Sequence, residues 1–194
     1  MTYEEYCRKT EFSLVDLVAH ANGTLIEGPR PEMAALPAPP LLMLDRITEI
    51  KHDGPRGRIV GEHDVSIDAW YFWCHFRHDP IQPGCLGVEA VWQLLGVYLS
   101  LRRAEGTGRA LGCGEVDFFG QIRPYNKVVR FDIDIRRCSV LPESGRAMVI
   151  GTARVFVDDQ HVYTITDARL GAFKGIRYSD YPNRSVNSIG GPSR

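Results

Sequence analysis

The spacing of hydrophobic positions changes along the chain, and each change marks an element. From Phe12 to His20, apolar residues at Leu14, Val15, Leu17 and Val18 predict a short amphipathic helix, with Asn22-Gly23 as its stop. Periodicity then vanishes between Gly28 and Pro40, where prolines stand at 29, 31, 37, 39 and 40. Proline lacks an amide donor and biases its predecessor to extended geometry, so this reads as an extended crossing segment. Leu41–Ile50 and Arg58–Ile67 flank Asp53-Gly54-Pro55 and predict two strands joined by a turn. Trp70–Phe76 is an aromatic run containing Cys74 and His75, read as an aromatic strand that ends in the loop from Arg77 to Gly84.

Cys85 to Arg103 is helical in period and apolar on nearly every side, which predicts a buried central helix. Arg102 and Arg103 at its carboxyl end complement the dipole. Val128–Ile135 alternates cleanly, with Val129, Phe131, Ile133 and Ile135 on one face and Arg130, Asp132 and Asp134 on the other. Ala147–Asp158 and Val162–Phe173 follow, joined at Asp158-Asp159-Gln160-His161 as a hairpin turn. One buried helix followed by consecutive antiparallel strands predicts an α+β fold, a sheet wrapped on a helix. Residues 1–173 read as one domain, and 174–194, rich in Ser, Gly, Asn and Arg, as a tail expected to fray or drape over the surface.

Composition narrows the function classes. The 194 residues hold 23 Lys+Arg against 24 Asp+Glu, a net charge of −1. Bulk attraction to nucleic acid or an anionic membrane is therefore not the organising principle. No run approaches the roughly 18–20 uninterrupted apolar residues of a membrane span, and the polar amino terminus with Glu4 and Glu5 is not a secretory signal. Five cysteines without CxxC spacing fit neither a disulfide framework nor a zinc site. The expected compartment is the cytoplasm.

Candidate chemistry gathers at the start of the apolar helix. Glu89, between Val88 and Ala90, is a carboxylate on a helix that should be dry, costly unless paired or protonated. Taken alone, a His in an aromatic stretch is structural more often than not, and a Glu near a helix amino terminus is ordinary dipole chemistry. Together, His75 and Glu89 are the minimal kit for general acid–base catalysis. Pro83-Gly84-Cys85 opens the helix, where free amides can polarise a carbonyl oxygen; the plain alternative is a turn. Cys85 sits where reactive thiols occur, but Glu89 at i+4 opposes thiolate formation. His75, His78 and Asp79 lack metal-site spacing, so no metal is expected. Gly106-Thr107-Gly108 and Gly112-Cys113-Gly114 follow a helix and open a strand, the reverse of a dinucleotide loop.

Trp70 to Phe76 and then Asp79-Pro80-Ile81-Gln82-Pro83-Gly84-Cys85-Leu86-Gly87-Val88-Glu89-Ala90-Val91-Trp92-Gln93-Leu94 closely resemble the active-site block of the 3-hydroxydecanoyl-acyl carrier protein dehydratase/isomerase family. Leu42-Met43-Leu44-Asp45-Arg46-Ile47 and Arg109-Ala110-Leu111-Gly112 extend the likeness, which runs from about Phe12 to Phe173. The resemblance implies a hot-dog fold, with the catalytic His at His75 and the catalytic carboxylate at Glu89. It places the thioester-binding amide at Gly84, and Ile81, Cys85 and Gln93 along the substrate. It further implies a homodimer whose sites pair the His of one subunit with the acid of the other, no cofactor, and an acyl carrier protein as partner. Two departures stand out: Glu89 where this branch has Asp, and Trp73 where it has Gly. Both favour dehydration over isomerisation. A non-catalytic acyl-thioester binder or dimerisation domain, or a thioesterase on the same fold, are the alternatives. Arg123, Lys127, Arg136 and Arg137 are candidates for a basic rim facing the acidic carrier.

Overall fold

The computed structural model describes residues 1–175. The expectation of a fraying tail falls almost wholly outside them. Two helices open the chain, α1 (Tyr3–Cys7) and α2 (Leu14–Ala21), each started by a capping box, Thr2 with Glu5 and Ser13 with Asp16. α1 is too short to show a period. α2 starts later than the hydrophobic pattern suggests because Phe12 is drawn away: it exchanges both backbone hydrogen bonds with Ile47 and is buried. The proline-rich stretch has no regular structure, as expected, but buries Ala34 and Leu36, and Leu42, Met43 and Leu44 just after it are buried as well.

Strands β1 (Arg46–Asp53) and β2 (Arg56–Asp64) form the first hairpin, turning at Gly54 with φ +55°. The first strand begins later than its pattern because Leu41 and Met43 give backbone groups to a side chain instead of to a ladder. The aromatic run is not a strand. Trp70–Trp73 is one 3₁₀ turn, with Tyr71 and Phe72 buried and Trp70 and Trp73 exposed. Its backbone bonds close locally, Phe72 N–H on Ala69 and His75 N–H on Tyr71, leaving none for a sheet.

The central helix α3 (Gly84–Leu101) is followed by β3 (Thr107–Gly112), β4 (Val116–Phe118), β5 (Val128–Leu141), β6 (Arg146–Val157) and β7 (Gln160–Phe173). β3 and β4 escape the sequence pattern because they are short, glycine-rich or charged. All pairings are antiparallel, in the order β1-β2-β5-β6-β7-β3, with β4 also on β7. α3 packs across β7, β6, β2 and β5. It is apolar and long enough to cross a bilayer, but here it is the core onto which the sheet wraps.

Val129, Phe131, Ile133 and Ile135 face that core, as their alternation predicts. Asp132, on the opposite face, is nevertheless buried, because the Arg58 guanidinium lies along it with two hydrogen bonds of 2.9 and 2.8 Å. At the far end of α3, Tyr6 Oη meets Ser100 Oγ at 2.5 Å and His20 Nε2 at 3.0 Å, tying both amino-terminal helices to the core helix.

Candidate active site

The loop between the 3₁₀ turn and α3 is shaped by its own backbone. His75 N–H donates to Tyr71 C=O (2.9 Å), and Ile81 N–H donates back to His75 C=O (2.8 Å). His75 Nδ1 lies 3.1 Å from Ile81 C=O. A carbonyl only accepts, so Nδ1 carries a proton, and in the neutral ring Nε2 holds the lone pair. His75 is half-buried, and Nε2 makes no hydrogen bond among the described residues.

Three residues after Ile81, α3 begins. Its N-cap, Pro83, provides no side-chain partner, so the first amides are open to a ligand. A Cβ at Gly84 would lie 2.5 Å from the Phe118 ring, so only glycine permits this approach of β4 to the helix start. Ile81, Gly84, Phe118, Gln121, Arg123 and Tyr125 line a cleft of about 670 Å³. Cys85 is exposed.

Glu89, further along α3, is half-buried and not enclosed as the apolar helix suggested. Its Oε1 accepts from Gln93 Nε2 at 3.1 Å. Gln93 is buried and fully engaged: Nε2 also donates to Leu41 C=O (2.8 Å), and Oε1 accepts from Met43 N–H (2.9 Å). The acid is thus held by a residue stitched to the end of the proline-rich segment.

His75, Ile81 and Gly84 therefore meet at one loop–helix junction, with Glu89 and Gln93 beyond them on the same helix. No hydrogen bond joins His75 to Glu89 among the described residues. Ile81 contributes its carbonyl, on the His75 ring. No group of three or more His, Cys, Asp and Glu among the described residues could hold a metal ion. Of the candidate basic rim, Arg123 pairs with Asp79 (2.6 Å) and Arg136 with Asp167 (2.9 Å), so two of its four cations are already matched. Behind the loop lies a polar chain of Asp45, His63 and Tyr71 that hydrophobic spacing does not announce. A histidine within a strand and a tyrosine in an aromatic run look like ordinary sheet and core residues.

A long apolar helix lying in one antiparallel sheet, with candidate chemistry at the helix amino terminus, defines the hot-dog class. Residues 36–166 match the FabA-like domain model, and the chain belongs to that family. Solved structures of similar form include AziG from S. sahachiroi, at 13% identity over 66% of this chain and 90% of that one, TM-score 0.46. The dehydratase heterocomplex ApeI:P from Xenorhabdus doucetiae matches at 17% over 70% and 84%, TM-score 0.46. The PaaI protein of E. coli, from the phenylacetic acid degradation operon, matches at 10% over 61% and 74%, TM-score 0.44. Likeness at this level is one of shape alone.

Proposed function

We propose that this protein removes water from a 3-hydroxyacyl thioester carried on acyl carrier protein, giving the trans-2-enoyl thioester. The observation that supports it most directly is the His75 ring, fixed by Ile81 C=O with Nε2 left as a base beside an open helix amino terminus. In this reading the Gly84 N–H donates to the thioester oxygen as charge builds on it, a contribution of roughly 3–4 kcal/mol for one such donor. His75 Nε2 takes the C2 proton, the C3–O bond breaks, and the Glu89 carboxyl gives its proton to the departing hydroxyl, which leaves as water. The imidazolium then loses its proton to solvent and the carboxylate regains one, so no cofactor is consumed.

His75 and Glu89 share no hydrogen bond within one chain among the described residues, and the resemblance implies a site completed by a second copy. Three exposed aromatic side chains, Trp73 (74% exposed) in the 3₁₀ turn, Phe76 in the loop after it and Phe119 on the cleft wall, are suited to be covered by that copy. Isomerisation to the cis-3 product is expected to be weak or absent. Glu89 reaches further than an Asp would, and Trp73 adds bulk two residues before His75; a displacement of about 1 Å can cost on the order of 100-fold.

Incubation with a 3-hydroxyacyl thioester separates the readings. Enoyl absorbance without free thiol is the expected result. Thiol release would identify a thioesterase, and neither signal, with binding retained, a non-catalytic acyl-thioester domain.

A further inference from the structure

Tyr71 is 2% exposed, and its hydroxyl lies 3.2 Å from His63 Nε2. On the other side of that ring, His63 Nδ1 lies 2.8 Å from Asp45 Oδ2, within ion-pair reach although its N–H does not point straight at the oxygen. Asp45 Oδ2 is itself fixed by the Asp64 N–H at 2.7 Å. Burial works to raise the Asp45 carboxyl, but the His63 ring and the Asp64 amide outweigh it and hold the group below the usual carboxylate range. Asp45 is therefore an acceptor, which favours a proton on His63 Nδ1; in that tautomer Nε2 is an acceptor. The Tyr71 phenol, pushed up by burial against the lowering effect of the Gln82 carboxamide beside it, stays protonated and donates to Nε2. In that tautomer the chain runs from Tyr71 through His63 to Asp45.

Tyr71 is also the residue on which the catalytic loop turns. Its backbone C=O accepts the amides of His75 (2.9 Å) and Cys74 (3.3 Å). Its hydroxyl sits beside Gln82, and the residue before Gln82 is Ile81, whose carbonyl orients the His75 ring. The Tyr71 backbone thus holds one limb of the loop that sets His75, and its side chain lies beside the other. A core aromatic that only filled space would need no hydroxyl here, and an unpaired hydroxyl at this depth is costly.

We infer that Tyr71, anchored by His63 and Asp45, is a positioning residue that sets the orientation and tautomer of His75. This rests on the role of His75 given above, so one readout must be independent of turnover. Tyr71→Phe, His63→Leu, the double variant and His63→Gln are compared by ¹⁵N NMR of the His75 ring and by steady-state kinetics. Tyr71→Phe and His63→Leu should each lower the Nδ1–H fraction of His75 and reduce kcat roughly tenfold with KM changed less than twofold.

The double variant replaces the pair with apolar groups and leaves no orphaned hydroxyl; it should fold even if a single variant does not. Its effect on His75 should match that of the more affected single variant and not be their product. His63→Gln retains a donor and an acceptor and should restore most of both signals. Unchanged His75 resonances and kcat in folded Tyr71→Phe or in the double variant would overturn the inference. A wild-type protein without dehydratase activity would remove the proposed reaction, while the NMR comparison would still decide the positioning role.

Discussion

His75 is held at three points, through its own N–H, its C=O and its ring nitrogen, all by groups within ten residues of it. Such local over-determination suits a base that must not swing. His75→Ala should therefore lose dehydration by on the order of 10³-fold or more, and Glu89→Gln by a comparable factor, both with an unchanged circular dichroism spectrum. Near-native turnover in either variant would reassign the pair.

A second residue-scale consequence concerns His20, whose ionisation is pushed down to about 4 by burial and by the nearby Arg30 charge. The unfolded chain takes up this proton near pH 6.5 and the folded one does not, so the contribution is intact above that pH and is lost as pH falls toward 4. His52, lowered by burial and by Arg102, acts in the same direction. Urea denaturation should show about 2 kcal/mol less stability at pH 5 than at pH 7.5 from His20. His20→Gln should flatten most of that slope. His75, Glu89 and Gly84 stand out as candidates in the sequence because chemistry restricts which residue types can serve. His63 and Tyr71 are not, since their meaning arises only when a strand and a turn meet in space.

Among the elements, α3 shows how glycine can be required at one position and merely tolerated at another. A Cβ at Gly87 would lie 1.6 Å from the hydroxyl of Tyr163, itself 2% exposed and unable to swing away. A Cβ at Gly96 would meet only Leu170, at an ordinary 3.8 Å. Gly87→Ala should cost about 3 kcal/mol or more through overpacking, whereas Gly96→Ala should gain about 0.5–1 kcal/mol from reduced freedom of the unfolded chain. Thermal denaturation of the two variants should shift in opposite directions. The long elements α3, β5, β6 and β7 are readable because many residues vote for one period. β3, β4 and the 3₁₀ turn are not, because their conformation is set by neighbours: Phe118 pairs with Tyr163 of β7, and the aromatic run closes on its own carbonyls.

For the molecule as a whole, the composite-site reading makes a demand that no single chain can meet. Mixing His75→Ala and Glu89→Gln protomers after subunit exchange should restore activity, one working site in each heterodimer. Failure of complementation, or a monomer at micromolar concentration by light scattering, would exclude it. Carrier recognition is a weaker electrostatic case now that Arg123 and Arg136 are paired, which leaves Lys127 and Arg137 as the principal cations of the proposed rim. Added salt should raise KM for carrier-bound substrate modestly more than for a small thioester analogue. Equal sensitivity would remove the patch.

The order of elements also bears on how the chain is made. α3 precedes β5, β6 and β7, three of the four strands on which it packs, and the last of them ends roughly 70 residues later. At a synthesis rate of about 5–20 residues per second, the most apolar helix of the protein waits several seconds without most of its cover. During that interval only the β1–β2 hairpin and the amino-terminal helices are available to it. A nascent chain halted after Leu101 should therefore bind holdase chaperones, and one released after Phe173 should not. Vulnerability to aggregation during translation is, on this topology, a matter of timing.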